Sequence, residues 1–371
     1  MKSTDSKGKG DGPITARGYI FVALWGLFLL SLAAATGYAV SSYFYDCRLE
    51  SIAIHDSYLI APAPAADTIS GQKPVDVQVG VCMDRVSDLS IRDNKWIADF
   101  FIWFSWKGED IDPGENLQVV YGEILSKQKQ VERVDEDLHY QLYEVEAEIT
   151  KFFNVSRFPC DDHQLMLSIE DSTNDSRDLR YVPDTRNTSI GRNLKIPGFQ
   201  IYRTDKVVRE NHYMTSFGDP HESINGVNFS RLYYIVSIVR PGGGLYIKIF
   251  QGLFIAVAVS LLSFLIRSDQ SSPRFSVSLG ALFAAVANGY LVSSMQPGTE
   301  VMTVADVVTG LGIATIFLTL FQSTISLYIF DHRGEKALSR LFDKVSLVVI
   351  FAGYTAINLA IPMAASILIP L

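Results

Sequence analysis

Long apolar runs stand at both ends of this chain, and short alternating ones fill its middle. A helix needs about 20 apolar residues to cross a bilayer core. Five stretches reach that length: 18–44, 245–266, 275–295, 304–330 and 345–369. Between the first and second of these the period changes. Val75, Val77, Val79, Val81 and Met83 alternate with Asp76, Gln78, Gly80, Cys82 and Asp84, the two-residue period of a half-buried strand. Trp96, Phe100, Ile102, Phe104 and Trp106 share one face of a longer aromatic strand. Tyr143, Val145, Ala147 and Ile149 alternate with Glu144, Glu146 and Glu148, and Leu165, Leu167 and Ile169 form another short strand. Tyr234, Val236 and Ile238 lead straight into the second apolar run. Short strands broken by Gly, Pro, Asn and Asp predict an all-β, immunoglobulin-like sandwich over 75–241. Residues 45–74, with Pro62, Pro64 and Pro74, read as a linker. The predicted layout is a multidomain membrane protein: tail 1–17, transmembrane anchor 18–44, linker 45–74, sandwich 75–241 and a four-helix transmembrane domain 242–371.

Charge sharpens this picture. The chain carries 32 Lys+Arg and 40 Asp+Glu, a net of −8. Residues 46–241 hold 21 basic and 32 acidic residues, a net of −11, so the remainder is +3. An acidic domain of this sign argues against a nucleic-acid partner. Basic residues gather in the tail (Lys2, Lys7, Lys9, Arg17) and in two connections, one with Arg267 and Arg274, the other with Arg333, Lys336, Arg340 and Lys344. The segment 296–303 has none. The preference of basic loops for the cytoplasm predicts a cytoplasmic N-terminus, five crossings and an external sandwich. The first run is too long for a signal core, and Tyr38, Tyr43, Phe44 and Tyr45 form an interfacial belt, so it reads as an uncleaved anchor.

Several short motifs follow one another in order. Phe158-Pro159-Cys160-Asp161 precedes Ser230-Arg231-Leu232 and Arg240, after which four helices crowd together. Pro273-Arg274 opens a small-residue helix, Pro297 follows it, and Ala305-Asp306-Val307 begins the next. In this order and spacing the chain resembles the pentameric ligand-gated ion channel (Cys-loop receptor) superfamily, above all its prokaryotic members, over about 75–366. The resemblance implies a homopentamer in a bacterial inner membrane, conducting inorganic ions and gated by a small molecule or by protons, with no cofactor. Departures are specific. The family's bracketing cysteines fall on Lys151 and Leu165, Gly252 stands near the usual helix proline, no Trp-x-Pro follows Trp106, and the N-terminal anchor is additional.

Candidate sites follow from spacing and resemblance together. Ser276, Gly280, Phe283, Ala287, Tyr290 and Ser294 recur at steps of four and three, which puts them on one helix face. Alone, that stripe is either pore lining or a packing seam. The family register turns it toward the pore, with Phe283 a hydrophobic constriction. The resemblance places Arg240, Asp161, Phe158, Pro159, Asp88 and Pro297 at a gating interface, Arg240 pairing with Asp161, and a static salt bridge is the alternative. It also makes Tyr213 and Phe217 part of a capping hairpin that, with Tyr181, forms a cage for a cationic group, the alternative being ordinary packing. Glu170, Asp171, Asp175 and Asp178 form an acidic stretch, a divalent-cation site or a solvated loop. His163, beside Asp161 and Asp162, is a candidate proton sensor. Arg274 at the pore mouth suggests anions while the acidic domain would gather cations. The two cues oppose each other. Cys47, Cys82 and Cys160 lack metal-ligand spacing. No His-Glu-x-x-His, phosphate-binding loop or Gly-x-Ser-x-Gly elbow occurs, so no enzyme is expected. The competing function is a non-conducting, membrane-anchored sensor or scaffold.

Overall fold

The structure, a computed structural model, describes residues 14–59, 73–108, 111–218, 226–241, 243–296 and 301–366. Pro297 lies outside the described residues. Two compact units divide the chain. One takes in the chain up to Glu50, the short segment Val155–Asp161 and the C-terminal helices; the other takes in Ser51–Asn154 and Asp162–Pro241.

The β unit has two sheets. Strands β1 (Val75–Ser90), β2 (Lys95–Lys107), β4 (Gly122–Asp135), β5 (Leu138–Thr150) and β7 (Leu179–Pro183) lie in the order β4-β5-β2-β1-β7, and β8 (Ser189–Ile190) also pairs with β1. The second sheet runs β3-β6-β10-β9, from Leu117–Val119, Asp162–Asp171, Val227–Val239 and Gln200–Tyr213. Strict alternation along β2 buries Trp96, Ala98, Phe100, Ile102, Phe104 and Trp106 against Tyr143, Val145, Ala147 and Ile149 of β5 and Leu165, Leu167 and Ile169 of β6. Each such large side chain stabilises the sandwich by about 1.5–3 kcal/mol. Two long strands carry no such pattern. Edge strand β4 is polar and mostly exposed, with Lys127 and Lys129 facing Glu115 at 3.6 Å, the charged dressing of an unpaired sheet edge.

Five helices are long and apolar enough to cross a membrane. They are α1 (Ala16–Leu59), α2 (Gly244–Leu262, continued by one 3₁₀ turn at Ser263–Leu265), α3 (Ser271–Ser294), α4 (Val304–Arg333) and α5 (Lys336–Ser366). Two sequence expectations need correction. Helix α1 continues to Leu59, through the first half of the predicted linker, because neither glycine nor proline occurs between Tyr38 and Leu59 to stop it. Likewise, Arg340 and Lys344 belong to α5 rather than to a basic loop. Gly334, at φ 66°, ends α4 in the left-handed conformation that glycine adopts freely, and α5 starts two residues later.

Helix α1 packs on α5 through small residues, as helices without a hydrophobic driving force between them do. A Cβ on Gly18 would meet Leu338 at 3.1 Å, on Gly26 Val345 at 3.3 Å, on Gly37 Ile357 at 3.3 Å, and on Gly353 the Ala33 methyl at 2.9 Å. Partner numbers rise together, so the two helices run parallel. Phe21 stacks on Phe342 at 5.8 Å, and Trp25 lies tilted against the same ring at 5.7 Å. Helix α4 opens on a reciprocal cap. Thr303 Oγ1 accepts from Asp306 N (3.1 Å), and Asp306 Oδ2 accepts from Thr303 N (3.0 Å).

Thr303→Ala removes half of this cap and costs about 1 kcal/mol, a drop of about 2–4 °C in Tm for a unit of this size, read from thermal unfolding in detergent micelles. The parallel seam predicts that Ala33→Cys combined with Gly353→Cys forms an oxidant-induced disulfide, seen as a gel shift that reductant reverses. No shift would place α1 elsewhere.

Candidate functional site

Helix α3 is sharply two-sided. Arg274, Ser278, Ala281, Ala285 and Val292 are buried against the other helices. All six stripe residues, Ser276, Gly280, Phe283, Ala287, Tyr290 and Ser294, lie on the exposed side. Phe283 is 67% exposed and Tyr290 77%, and a Cβ added to Gly280 would touch nothing within 4 Å. The buried side is small because neighbours come close. Asn288 Nδ2 donates to the Ile249 carbonyl of α2 at 3.1 Å, and Gly252 beside it has no side chain, so the amide fits.

The foot of α3 corrects the reading of Arg274 as a charge at the pore mouth. Its side chain is 1% exposed and turned into the helices. Nε donates to the Ser263 carbonyl (3.0 Å), Nη1 to Ser268 Oγ (3.3 Å), and Nη2 stands 2.7 Å from Asp343 Oδ2. Ser268 in turn meets Ser339 Oγ at 2.8 Å and Ser326 Oγ at 3.3 Å. The sequence reading missed Asp343 and these serines because they stand among other polar residues or singly in an apolar run, where nothing marks them as partners of Arg274. Their steps were the available signal: Ser339, Asp343 and Ser346 fall at four and three, on one face.

The segment Val155–Asp161, between β5 and β6, belongs to the helical unit. Ser156 O accepts from Val304 N (3.0 Å) and Phe158 O from Ala305 N (3.1 Å), which satisfies two of the orphan donors at the start of α4. Arg157 Nη1 donates to the Ala365 carbonyl near the end of α5 (3.1 Å). Phe158, Pro159 and Asp161 are buried here, Asp161 completely. In the β unit, Arg240 lies over the Phe199 ring at 4.4 Å, and Asp88 is exposed on β1. His163 is buried between Phe153 and Phe199, at 5.2 and 5.9 Å. Lys151 donates to the Gln164 carbonyl. Burial pulls its ammonium down to about 8.

The aromatic cage is not built as expected. Tyr181 is buried in the sandwich core, its ring 6.2 Å from Phe104, and burial raises its phenol. Tyr213 and Phe217 do meet, at 5.4 Å. The cation beside Tyr213 is the protein's own. The Arg231 guanidinium lies 5.9, 5.8 and 5.6 Å from the rings of Tyr121, Tyr213 and Tyr233. It pairs with Glu170 Oε1 and donates to the Tyr213 hydroxyl (2.8 Å) and the Tyr233 hydroxyl (3.2 Å). Tyr213 donates to Glu170 Oε2 at 2.8 Å, and burial with the nearby carboxylate pushes its phenol up to about 12. Most of the acidic stretch is likewise engaged by the protein itself, while Asp178 is exposed. Asp171 Oδ1 accepts from Thr173 N and Asn174 N, and Asp175 holds Arg177. Among the described residues, no group of three His, Cys, Asp or Glu side chains is placed to hold a metal, and the three cysteines are free.

The Lys151 arrangement sets a pH dependence. Its pKa is 10.5 in an exposed setting and about 8 in the fold, so the charged form disfavours folding below pH 8 and ceases to do so as pH rises toward 10.5. Lys151→Met is therefore more stable than wild type at pH 7, with the difference narrowing by pH 10. Thermal unfolding across that range checks it, and a constant difference would contradict it.

No family model matches the chain, and no curated protein matches it.

Proposed function

We propose that this chain is one subunit of a homopentameric, ligand- or proton-gated ion channel of a bacterial inner membrane. Its N-terminus is cytoplasmic and its β unit external. The observation that carries the reading is the bare face of α3. A helix that packs one side on its own subunit and leaves Phe283 and Tyr290 largely uncovered is suited to a symmetry axis, where five copies complete one another. On that axis Phe283 forms an apolar neck. Gly280 and Ala287, one turn to either side, offer no oxygens to replace an ion's hydration, so the neck blocks ions by dewetting. The segment 155–161 supplies the coupling route, because backbone bonds join it to the start of α4.

The agonist of this channel is not an amine held in the Tyr213 cage, since Arg231 fills that position. The same observation favours the second reading, a non-conducting sensor or scaffold whose ancestral ligand position has been closed from within.

Purified protein in planar bilayers tests the proposal. Native mass spectrometry in mild detergent gives a pentamer. Phe283→Ser wets the neck and produces a constitutive leak, Phe283→Leu stays closed at rest, and Phe317→Ser on α4 opens no path. If Phe283→Ser assembles normally and passes no current at any pH or voltage, the scaffold reading replaces the channel.

A further inference from the structure

The interior of the helical unit contains a layer of polar atoms that the protein itself does not satisfy. Ser263 Oγ, Ser278 Oγ, both amide atoms of Gln322, Ser323 Oγ, Ser346 Oγ and Asp343 Oδ1 have no hydrogen-bond partner among the described residues. All six residues are buried, none more than 4% exposed. Buried polar groups in folded proteins are almost always paired with protein or with ordered water. These seven atoms, beside Arg274 Nη2, which likewise makes no well-formed hydrogen bond, therefore call for a partner.

Their positions converge on one level. The contacts of Ser268 with Ser326, Ser339 and Arg274 put the α2–α3 and α4–α5 connections at the same end of the unit. One turn inward from that end, Ser278 follows Arg274 by four residues on α3, Ser346 follows Asp343 by three on α5, and Gln322 and Ser323 precede Ser326 by four and three on α4. The level beyond is closed by the hydroxyl contact of Ser260 with Thr319. Ser278, Gln322, Ser323 and Ser346 thus lie between two layers of satisfied contacts, and Ser263 and Asp343 border them from the Arg274 layer.

We propose that this layer holds ordered water, an internal hydration site enclosed by α3, α4 and α5 at the foot of α3. The chemistry selects the occupant. Gln322 offers two donors and an acceptor, the serines offer one hydrogen each and accept as well, and Asp343 Oδ1 only accepts. A guest that both donates and accepts answers all of them. Arg274, 2.7 Å from the other Asp343 oxygen, cancels the carboxylate charge, so neither a cation nor an anion finds a net counter-charge. Serine and alanine at Ser278, Ala281, Ser323 and Ser346 keep the neighbouring side chains short. Bound water also eases the burial of the Arg274–Asp343 pair, whose desolvation is otherwise unfavourable. This site stands whether or not the protein conducts.

Full-length protein in detergent tests it through the sign of a stability change. If water bridges the layer, Gln322→Leu and Ser346→Ala each strip a partner from that water and lower Tm by about 2–4 °C. If the atoms are true orphans in a dry interior, removing them raises Tm. A raised or unchanged Tm overturns the proposal. Should Gln322→Leu fail to fold, Ser346→Ala and a wild-type cryo-microscopy map still decide. Density for water within about 3.2 Å of Gln322 and Asp343 is expected, and continuous dry packing overturns it. Replacing sodium with choline leaves Tm unchanged, whereas a sodium-dependent rise makes the occupant a cation and overturns water.

Discussion

The first backbone N–H groups of a helix have no partner inside the helix, and at the start of α4 that requirement shapes the helical unit. Thr303 and Asp306 answer part of it, but Val304 N and Ala305 N take the carbonyls of Ser156 and Phe158. A segment lying between two strands in sequence is thereby made part of the helices. Its own arginine, Arg157, repeats the exchange at the far end of α5 by donating to the Ala365 carbonyl. Backbone hydrogen bonds thus fix this segment on the helices together with its buried Val155, Phe158 and Pro159.

The same rule governs charge. Arg274 and Asp343 are tolerated inside the unit because each meets the other and because serines surround them. In the β unit Arg231 and Glu170 reach the same solution with tyrosine hydroxyls and rings. Removing either partner of such a pair leaves an uncompensated buried charge, which costs about 3–5 kcal/mol. The Arg231 pair therefore accounts for the Tyr213 cluster without any ligand.

Much of the fold was legible where burial is one-sided. The two-residue alternation of Trp96–Trp106 and Tyr143–Ile149 located β2 and β5, and five apolar runs located the helices. Strands β4 and β9 escaped because they are held by neighbouring strands and by surface charge, neither of which leaves a period in their own residues. The stripe on α3 was legible from its steps, since exposure on a helix follows geometry. The Arg274 environment was not. A charge beside an apolar run has the same sequence signature whether it points to water or into protein, and only Asp343, 69 positions away, decides which.

Gly334 and Glu335 are all that separate α4 from α5, so the two helices form one hairpin. At its open end the hairpin is gripped twice, by Ser156 and Phe158 on α4 and by Arg157 on α5. Near its closed end Asp343 holds the foot of α3 through Arg274. The hairpin thus joins the segment 155–161 to the foot of α3, and this chain of contacts runs through α4 and α5 without passing along α3 itself.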